Sequence, residues 1–567
     1  MESSGVTTVG VRPDAVPGGK GRRSGVDHGR RAPGLLVRWL AGGALWAAGT
    51  GIAFVVYLRL AHTRAVNSDA ASQALQAWDM LHGNPLLRGW TVSDVSFYTT
   101  EIPQYALVEL IRGVRADVVD IAAAMTYTLV VLFAALVAKG TATGRAGLLR
   151  VAVTVGIMLA PQLDSGTNVL LSSPDHIGTS VPLLATWLVL DRCGRRWYVP
   201  VLTTVLLAWA QTADSIVAIA GIIPLGLVCS VRAIAALRAR SFRDAGYEAA
   251  MAAGALLAAQ FAHWVLAAIT NTGGFTVRPL ATQVAPLGAV FGHNAPVGAQ
   301  CLLLLFGAHT GGPPTAEWSL FLMLHLAGTL LAAAGIAAAA WRLRRGADVV
   351  SQVLLMAIAV NVGAFLVTQR VVDVSSAREI APVLPFGAAL ASRQLGPAIG
   401  RLLTRPGVTA GVSLNTGMFR LAVGLLCVIW VGYVAGLGVE LAAPSAPPQT
   451  AQLTSWLERH PLAGTGLGGY WQASVVTLTS GGTVAIRPVA GDNGWVGAHH
   501  GEISASWYDP ARSTAHYVVL FRGAAEDPGY ADTRAVRATW GKPARVYHVG
   551  QYTIWYWPKN LLSTIGR

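Results

Sequence analysis

The stretch VNSDAASQALQAWDMLHGNPLLRGW, residues 66–90, follows the first long apolar run of the chain and carries two acids, Asp69 and Asp79. At about 100° per residue, residues 68–83 fit a helix with one apolar side, made of Ala71, Ala74, Leu75, Trp78 and Leu81. The opposite side carries Asp69, Gln73 and Gln76. This pattern predicts an amphipathic helix lying at a membrane surface, with Ser68 or Asn67 as its N-cap. Asp69 then falls in the first turn, where the helix dipole favours an ionised carboxylate.

The composition around this stretch is typical of a membrane protein. Of 567 residues, 53% are hydrophobic and 12% are charged, and the mean hydropathy is +0.49. Soluble domains carry about 25% charged residues. The net charge of +14 is explained by basic cytoplasmic loops, and without a basic–aromatic motif it does not indicate a nucleic-acid partner. The four cysteines show no CxxC or Cys/His spacing, so neither a disulfide framework nor a zinc site is expected.

Apolar runs and basic loops predict the topology of a multi-pass plasma-membrane protein. Residues 1–34 read as a disordered, basic cytoplasmic tail, and 35–60 as an uncleaved first span. Further apolar runs cover 117–138, 148–163, 177–191, 198–211, 214–233, 247–270, 318–341, 350–369, 379–398 and 418–438. The run 284–307 is broken by Pro, Gly and His and is either a span or a re-entrant segment. The alternation of basic loops predicts about eleven or twelve spans, with the N-terminus cytoplasmic and the C-terminus outside the cell.

The predicted domains are therefore the tail 1–34, a transmembrane domain 35–438 with a first external loop 61–116, and an external α+β domain 439–567. LTSWLERH, from residue 453, reads as a short helix. YWQASVVTLTSGGTVAIRPV, from residue 470, has strand-like stretches around a Gly-Gly turn. AHYVVLFRG, ARVYHVG and YTIWYW read as further strands. The aromatic residues of this region are expected to form its core, with stacking on sugars as the alternative.

Three stretches resemble motifs of one membrane-protein class: SDAASQALQAWDMLHGN (68–84), TTEIPQYALVEL (99–110) and SSAREIAPVLPFGAALASR (375–393). They are similar to the first external loop and a late span of GT-C-type integral membrane glycosyltransferases, among them protein mannosyltransferases and lipid A aminoarabinose transferases. The resemblance is to an actinobacterial-type member. Asp69 is followed by Ala-Ala-Ser where many bacterial relatives have a second acid, and EIPQY stands where they have a lysine and a double proline.

The resemblance implies transfer of a sugar from a polyprenyl-phosphate donor to an extracytoplasmic glycan, lipid or protein acceptor, at a site on the bilayer surface. Such chemistry needs a carboxylate base for the acceptor hydroxyl and cations for the leaving phosphate. By resemblance Asp69 is the catalytic base and the transfer is inverting, with Asp94 and Glu101 as alternative acids.

Three cationic residues on the predicted external side of the membrane are candidates for binding the donor phosphate: Arg378, Arg370 and His176. Asp214, Asp175 and Asp79 are further candidate site residues without an assigned role. Each has a structural alternative, because acids at helix starts act as caps and interfacial arginines extend their charged ends to water. No ligand spacing indicates a metal site, and a requirement for a divalent metal stays open.

Two other functions fit the same sequence. One is a transporter or flippase of a lipid-linked or small substrate, and the other is a non-catalytic membrane protein with a glycan-binding external domain. Transporters place charged groups near the middle of the membrane, between inverted repeats. Here the acids fall at the predicted external ends of spans, which favours an active site at the bilayer surface.

Overall fold

The computed structural model describes residues 32–162, 165–279, 282–310, 316–343, 346–404, 414–492, 494–522 and 532–565. Most of the predicted tail, 1–34, lies outside these residues. The chain divides into two compact units, 1–51 and 52–567. In the first unit the described residues belong to helix α1 (Ala32–Ala61). All features described below belong to the second unit.

Helices dominate the second unit before its C-terminal region. They are α2 (Ser68–Leu81), α3 (Glu101–Arg112), α4 (Asp117–Lys139), α5 (Gly144–Met158), α6 (Ser165–Leu170), α7 (Asp175–Gly178), α8 (Ser180–Arg192), α9 (Tyr198–Ala213), α10 (Ile223–Arg238), α11 (Phe242–Asn271), α12 (Leu287–Ala289), α13 (Ala295–Leu305), α14 (Ala316–Arg342), α15 (Val349–Leu366), α16 (Val383–Thr404) and α17 (Leu414–Ala442). Two π-helical turns, Ala218–Ile222 and Val290–Asn294, precede α10 and α13, and a 3-10 turn, Val374–Ile380, precedes α16.

Six helical stretches among the described residues are long and apolar enough to cross a membrane: Gly42–Ala61, Asp117–Lys139, Ala218–Arg238, Phe242–Asn271, Phe321–Arg342 and Val349–Leu366. The helices Tyr198–Ala213 and Trp430–Ala442 are apolar but shorter. The chain is therefore a helical, polytopic membrane protein, as the composition predicts. The broken run 284–307 forms α12, the π-helical turn and α13 in succession. Pro296 lacks an N–H group, which accounts for the local change in helical hydrogen bonding there.

The amphipathic helix predicted from residue 68 is confirmed as α2. Its N-cap is Asn67, whose Oδ1 accepts the N–H of Ala70 at 2.8 Å. The alanine side of α2, formed by Ala70, Ala71, Ala74 and Ala77, is fully buried. It packs in one core with Ile102 and Tyr105 of α3. The prediction of an open polar side is wrong, because Gln73 and Gln76 are only 1% and 2% exposed. A helical wheel does not show tertiary contacts such as the hydrogen bond from Gln73 to Asp175 of α7.

The C-terminal region is an α+β domain, as predicted. Its helices are α18 (Ala451–Arg459), α19 (Tyr470–Thr479) and α20 (Thr533–Trp540). Its strands are β3 (Thr465–Gly468), β4 (Ile486–Asp492), β5 (Trp495–Ala498), β6 (Ile503–Ser504), β7 (Ala515–Phe521), β8 (Arg545–Val549) and β9 (Tyr552–Tyr556). A six-stranded sheet has the order β5-β4-β3-β7-β9-β8, in which β3 runs parallel to both β4 and β7.

The prediction of strands on both sides of the Gly-Gly turn is wrong for its first half, because residues 470–479 form α19. Strands β3 and β4 are parallel neighbours, and a parallel pair needs a crossover connection, which α19 supplies. Packing outweighs the strand preference of the β-branched residues, since Val475 and Leu478 are buried in the same core as the alanine side of α2. The crossover therefore docks the C-terminal domain on α2.

A second, three-stranded sheet joins distant parts of the chain. Its central strand is β1 (Trp90–Val92), which pairs in parallel with β2 (Thr276–Val277) and antiparallel with β6. This sheet fixes the loop after α2 and the loop after α11 against the C-terminal domain. Together with the contact between α2 and α19, it surrounds the cavity described next.

Candidate functional site

A cavity of about 810 Å³ lies where α2, the loops of the helical region and the C-terminal domain meet. Its charged and titratable lining side chains are Asp69, Asp94, Asp175, His176, Arg278, Arg370, Arg378, Glu379, Tyr470, His499, His500 and Glu502. None of these residues belongs to the six candidate spans. The cavity is large enough for a drug-sized or sugar-phosphate ligand, and its lining combines apolar surface with many charged side chains.

Asp69 stands in the first turn of α2 and points into this cavity. One carboxylate oxygen, Oδ2, lies 3.4 Å from Nη1 of Arg378, and the other accepts a hydrogen bond from the hydroxyl of Tyr470. Burial and the nearby Asp175 carboxylate raise the pKa of Asp69, while Tyr470 and Arg378 oppose the rise. The side chain keeps 23% of its surface exposed, so a ligand in the cavity can reach it.

The hydroxyl of Ser68 donates to the backbone carbonyl of Tyr470, and the hydroxyl of Ser72 donates at 3.3 Å to the backbone carbonyl of Glu502. These serines lie one turn apart, on either side of Asp69 along the helix. The position of the Asp69 carboxylate is therefore tied to the C-terminal domain.

Two arginines reach the cavity from the segment before α16. Arg378 belongs to the 3-10 turn that Asp373 caps, and its side chain is 47% exposed. Burial alone would lower the pKa of Arg378, but Asp69, Asp175 and Glu379 raise it. Arg370 is bound by Asp94 and lies 3.5 Å from Glu379. Arg378 thus has the more accessible positive charge of the pair.

His176 forms a buried ion pair beneath the cavity. Its Nδ1 lies 3.0 Å from Oδ2 of Asp214, and this oxygen also accepts a hydrogen bond from the hydroxyl of Thr179. The other oxygen, Oδ1, accepts the N–H of Ile216 at 2.9 Å. Burial lowers the pKa of His176, but Asp214 and Glu379 outweigh it and raise the pKa to about 9. Asp214 lies behind His176 and does not line the cavity.

The other predicted acids have different surroundings. Asp175 is the first residue of α7 and not its N-cap, and it accepts a hydrogen bond from Gln73 at 2.9 Å. Glu101 starts α3 and is 1% exposed, and burial raises its pKa to about 8. Asp79 accepts hydrogen bonds from Asn84 and from the indole of Trp90, both at 2.7 Å. Glu101 and Asp79 do not line the large cavity.

The C-terminal domain contributes cavity residues that the motifs do not reveal. Glu502 is 5% exposed and is hydrogen-bonded to the hydroxyl of Tyr470. The ring of His499 stacks on Tyr470 with centroids 4.5 Å apart. Arg278, beyond β2, forms no ion pair among the described residues. In the sequence the only signal is the polar cluster HHGE at 499–502 between predicted strands.

Some aromatic residues of the C-terminal domain lie in its core, and others line the cavities. Trp555 and Trp557 are buried in the domain core, as expected, whereas Tyr470 and Trp471 line the large cavity. A second cavity of about 340 Å³ is lined by Leu75, Trp78, Asp79, Trp90, Val114, Thr477, Gly481, Gly482, Ala485, Arg487, Ser504, Ser506 and Trp507.

Nowhere in the described residues do three or more His, Cys, Asp or Glu side chains form a group able to hold a metal ion. The cavity carboxylates Asp69, Asp94 and Asp175 are instead engaged by arginine, tyrosine or glutamine.

No protein-family model and no curated protein matches the chain. Among solved structures it is similar to ArnT from Cupriavidus metallidurans bound to undecaprenyl phosphate, with a TM-score of 0.52 and 14% identity over 95% of this chain and 100% of that one. Oligosaccharyltransferase structures from Archaeoglobus fulgidus also match. The apo form has a TM-score of 0.47 and 14% identity over 91% of this chain and 75% of that one.

The other oligosaccharyltransferase structure, AglB from Archaeoglobus fulgidus in complex with an inhibitory peptide and a dolichol-phosphate, has a TM-score of 0.46. It is 13% identical over 85% of this chain and 70% of that one. The similarity to ArnT extends over nearly the whole of both chains. The fold is therefore GT-C-like, as the sequence motifs predict.

Proposed function

We propose that the protein is an integral membrane glycosyltransferase that moves a sugar from a polyprenyl-phosphate donor to an extracytoplasmic cell-envelope acceptor. The observation that carries the proposal is the position of Asp69, whose carboxylate faces the 810 Å³ cavity with Arg378 3.4 Å away. A base and a cation side by side meet the two needs of glycosyl transfer. The ArnT-like fold supports the same class of reaction.

In this mechanism Asp69 accepts the proton of the acceptor hydroxyl. The acceptor oxygen forms a bond to the anomeric carbon of the donor sugar, while the bond from that carbon to the phosphate oxygen breaks. The phosphate leaves with the electron pair and stays on the polyprenyl chain. Attack from the face opposite the phosphate inverts the anomeric centre.

The leaving phosphate needs a positive charge that it can reach. Arg378 is the best candidate, because it is the more exposed of the two predicted arginines and lies beside the base. Arg370 is held by Asp94 and Glu379 and acts mainly by shaping the cavity. His176, with its pKa raised to about 9, is a cation at neutral pH and adds positive potential at the cavity wall.

The competing acids fit the role of base less well. Asp94 forms a closer ion pair with Arg370 than Asp69 forms with Arg378, so its charge is more fully compensated. Glu101 is buried outside the cavity lining and lies against Gly178. The transporter alternative has less support, since the charged cavity is built from loops and the C-terminal domain and not from the candidate spans. The open carboxylate of Asp69 also argues against a purely structural cap.

Asp69→Asn tests the proposal, with Asp79→Asn as a matched control on the same helix. Purified protein in liposomes is supplied with a panel of undecaprenyl-phosphate-linked radiolabelled sugars and with cell-envelope material as acceptor. Asp69→Asn should lower transfer by about 100-fold or more, the usual contribution of a general base. Asp79→Asn should retain most transfer, because it lies away from the large cavity.

Folding of both variants is checked by size-exclusion chromatography and thermal melting. Equal transfer by the wild type and a folded Asp69→Asn variant would remove Asp69 from the mechanism and direct attention to Asp94 and Glu101. A wild type that transfers no sugar from any donor of the panel would count against the glycosyltransferase proposal and favour a transport or binding function.

A further inference from the structure

The hydroxyl of Tyr470 contacts two carboxyl groups, Oδ1 of Asp69 and Oε2 of Glu502. A phenol has one hydrogen and donates it to one acceptor at a time. If both carboxyl groups were ionised, one of the two contacts would bring a carboxylate against a phenol oxygen with no hydrogen between them. One of the acids must therefore carry a proton and donate it to Tyr470.

The proton can be on Asp69 or on Glu502, and the groups around each acid show which one carries it. Arg378 lies 3.4 Å from Asp69 and favours the ionised form of that acid. Glu502 forms no ion pair among the described residues and is 5% exposed, so its charged form has nothing to compensate for the lost water. The charged groups that act most strongly on these two acids are Arg378, Asp175 and Asp94, and among these only Arg378 is positive. Arg278 and His499 line the same cavity, but among the described residues neither forms an ion pair with Glu502.

We infer that Glu502 is protonated in the resting protein and donates to the oxygen of Tyr470, which in turn donates its hydroxyl to the ionised carboxylate of Asp69. Glu502 and Tyr470 are then positioning residues that hold one oxygen of the base while Arg378 faces the other. This inference rests on the proposed function for its catalytic meaning, but the proton arrangement itself does not depend on it.

Two further observations support this hydrogen-bond arrangement of Glu502, Tyr470 and Asp69. Glu502 has a φ of 56°, in the left-handed region that residues other than glycine rarely adopt. This conformation brings its side chain to Tyr470 while its backbone carbonyl accepts the hydroxyl of Ser72. Burial raises the pKa of Glu502 well above its ordinary value, and the nearby Asp69 raises it further.

The first test needs no substrate. Infrared spectra of the wild type in liposomes at neutral pH should contain the carbonyl absorption of a protonated Glu502 in addition to that of other buried acids such as Glu101, whose pKa is about 8. In difference spectra against the wild type, Glu502→Gln should lose one carboxylic-acid component and Asp69→Asn should lose none. A component lost in Asp69→Asn and not in Glu502→Gln would overturn the inference, as would the absence of any component that depends on Glu502.

The second test uses the pH dependence of kcat/KM. Glutamine at position 502 is a neutral isostere of the protonated acid and can donate to Tyr470, so Glu502→Gln should keep activity within about fivefold, the net contribution of one hydrogen bond. The acidic limb of its kcat/KM profile, where activity falls as Asp69 takes up a proton, should stay at the wild-type pH. A limb moved to lower pH would mean that Glu502 is ionised in the wild type, and would overturn the inference.

Tyr470→Phe removes the donor to Asp69 and leaves the proton of Glu502 without its partner. We expect a loss of about 10- to 100-fold, typical of an unpaired buried polar group. The acidic limb should move to higher pH, because the lost hydrogen bond stabilises ionised Asp69. An unmoved limb would overturn the positioning role. If the wild type transfers no sugar, the infrared result still decides the proton arrangement, so the two proposals fail separately.

Discussion

Arg378→Gln should shift the pH dependence of transfer as well as its rate. A general base works only when it is ionised, so activity is lost as the pH falls through the pKa of Asp69. Burial already raises that pKa, and Arg378 opposes the rise. Removing the guanidinium leaves the carboxylate with less compensation. The acidic limb of kcat/KM should therefore move to higher pH.

The size of the shift follows from the distance between the charges. At 3.4 Å two unit charges interact by about 1.2 kcal/mol at the dielectric constant of water and by about 5 kcal/mol at an effective value of about 20. Arg378 is 47% exposed, so solvent screens the pair and the lower value applies. One pKa unit corresponds to about 1.4 kcal/mol, so the limb should move by about one pH unit.

The assay compares kcat/KM for the wild type, Arg378→Gln and Arg378→Lys across the range in which all three remain folded. Lysine keeps the charge but not the planar fork, so its limb should lie close to that of the wild type even if its rate falls. A uniform fall in rate with an unmoved limb in Arg378→Gln would refute the coupling to Asp69. A limb moved to lower pH would refute Asp69 as the titrating base.

Two further predictions concern the charged pair under the cavity and the packing of the helices. Asp214→Asn removes a main cause of the raised pKa of His176, which is about 9, so His176 should lose its proton at a lower pH and the alkaline limb of transfer should move down; an unmoved limb would exclude His176 as the cation. Gly335→Ala should cost about 1–3 kcal/mol of stability, because its Cβ would lie 2.3 Å from Cα of Ala391 in α16. Gly363→Ala, with no atom within 4 Å of its Cβ, should leave the melting temperature unchanged or slightly higher.

Local patterns were sufficient to predict much of the helical part. The start of α2 follows from Asn67, which caps it, and from alanines spaced to form one buried side. Asp69 could be singled out because residues 68–84 resemble the first external loop of GT-C enzymes, and its place in the first turn depends only on neighbouring residues. The apolar runs predict membrane helices because an unpaired backbone polar group is costly in lipid, which leaves few alternatives to a helix.

Other features depend on contacts between distant residues. Residues 470–479 favour a strand by composition but form a helix, because the parallel neighbours β3 and β4 require a crossover. The polar side of α2 looks solvent-exposed in the sequence, but tertiary packing buries Gln73 and Gln76, and Gln73 donates a hydrogen bond to Asp175 of α7. Neither outcome is contained in a window of neighbouring residues.

By itself the sequence determined the class of fold, the helix that carries Asp69 and the presence of arginines near the later spans. Only the tertiary structure decided which groups surround that carboxylate. Tyr470 meets Asp69 across 401 positions of the chain, and Glu502 joins them from a loop with a left-handed backbone. The reason is physical, since helix formation and membrane insertion depend on neighbouring residues, whereas hydrogen bonds and charge compensation in a cavity depend on which distant segments pack together.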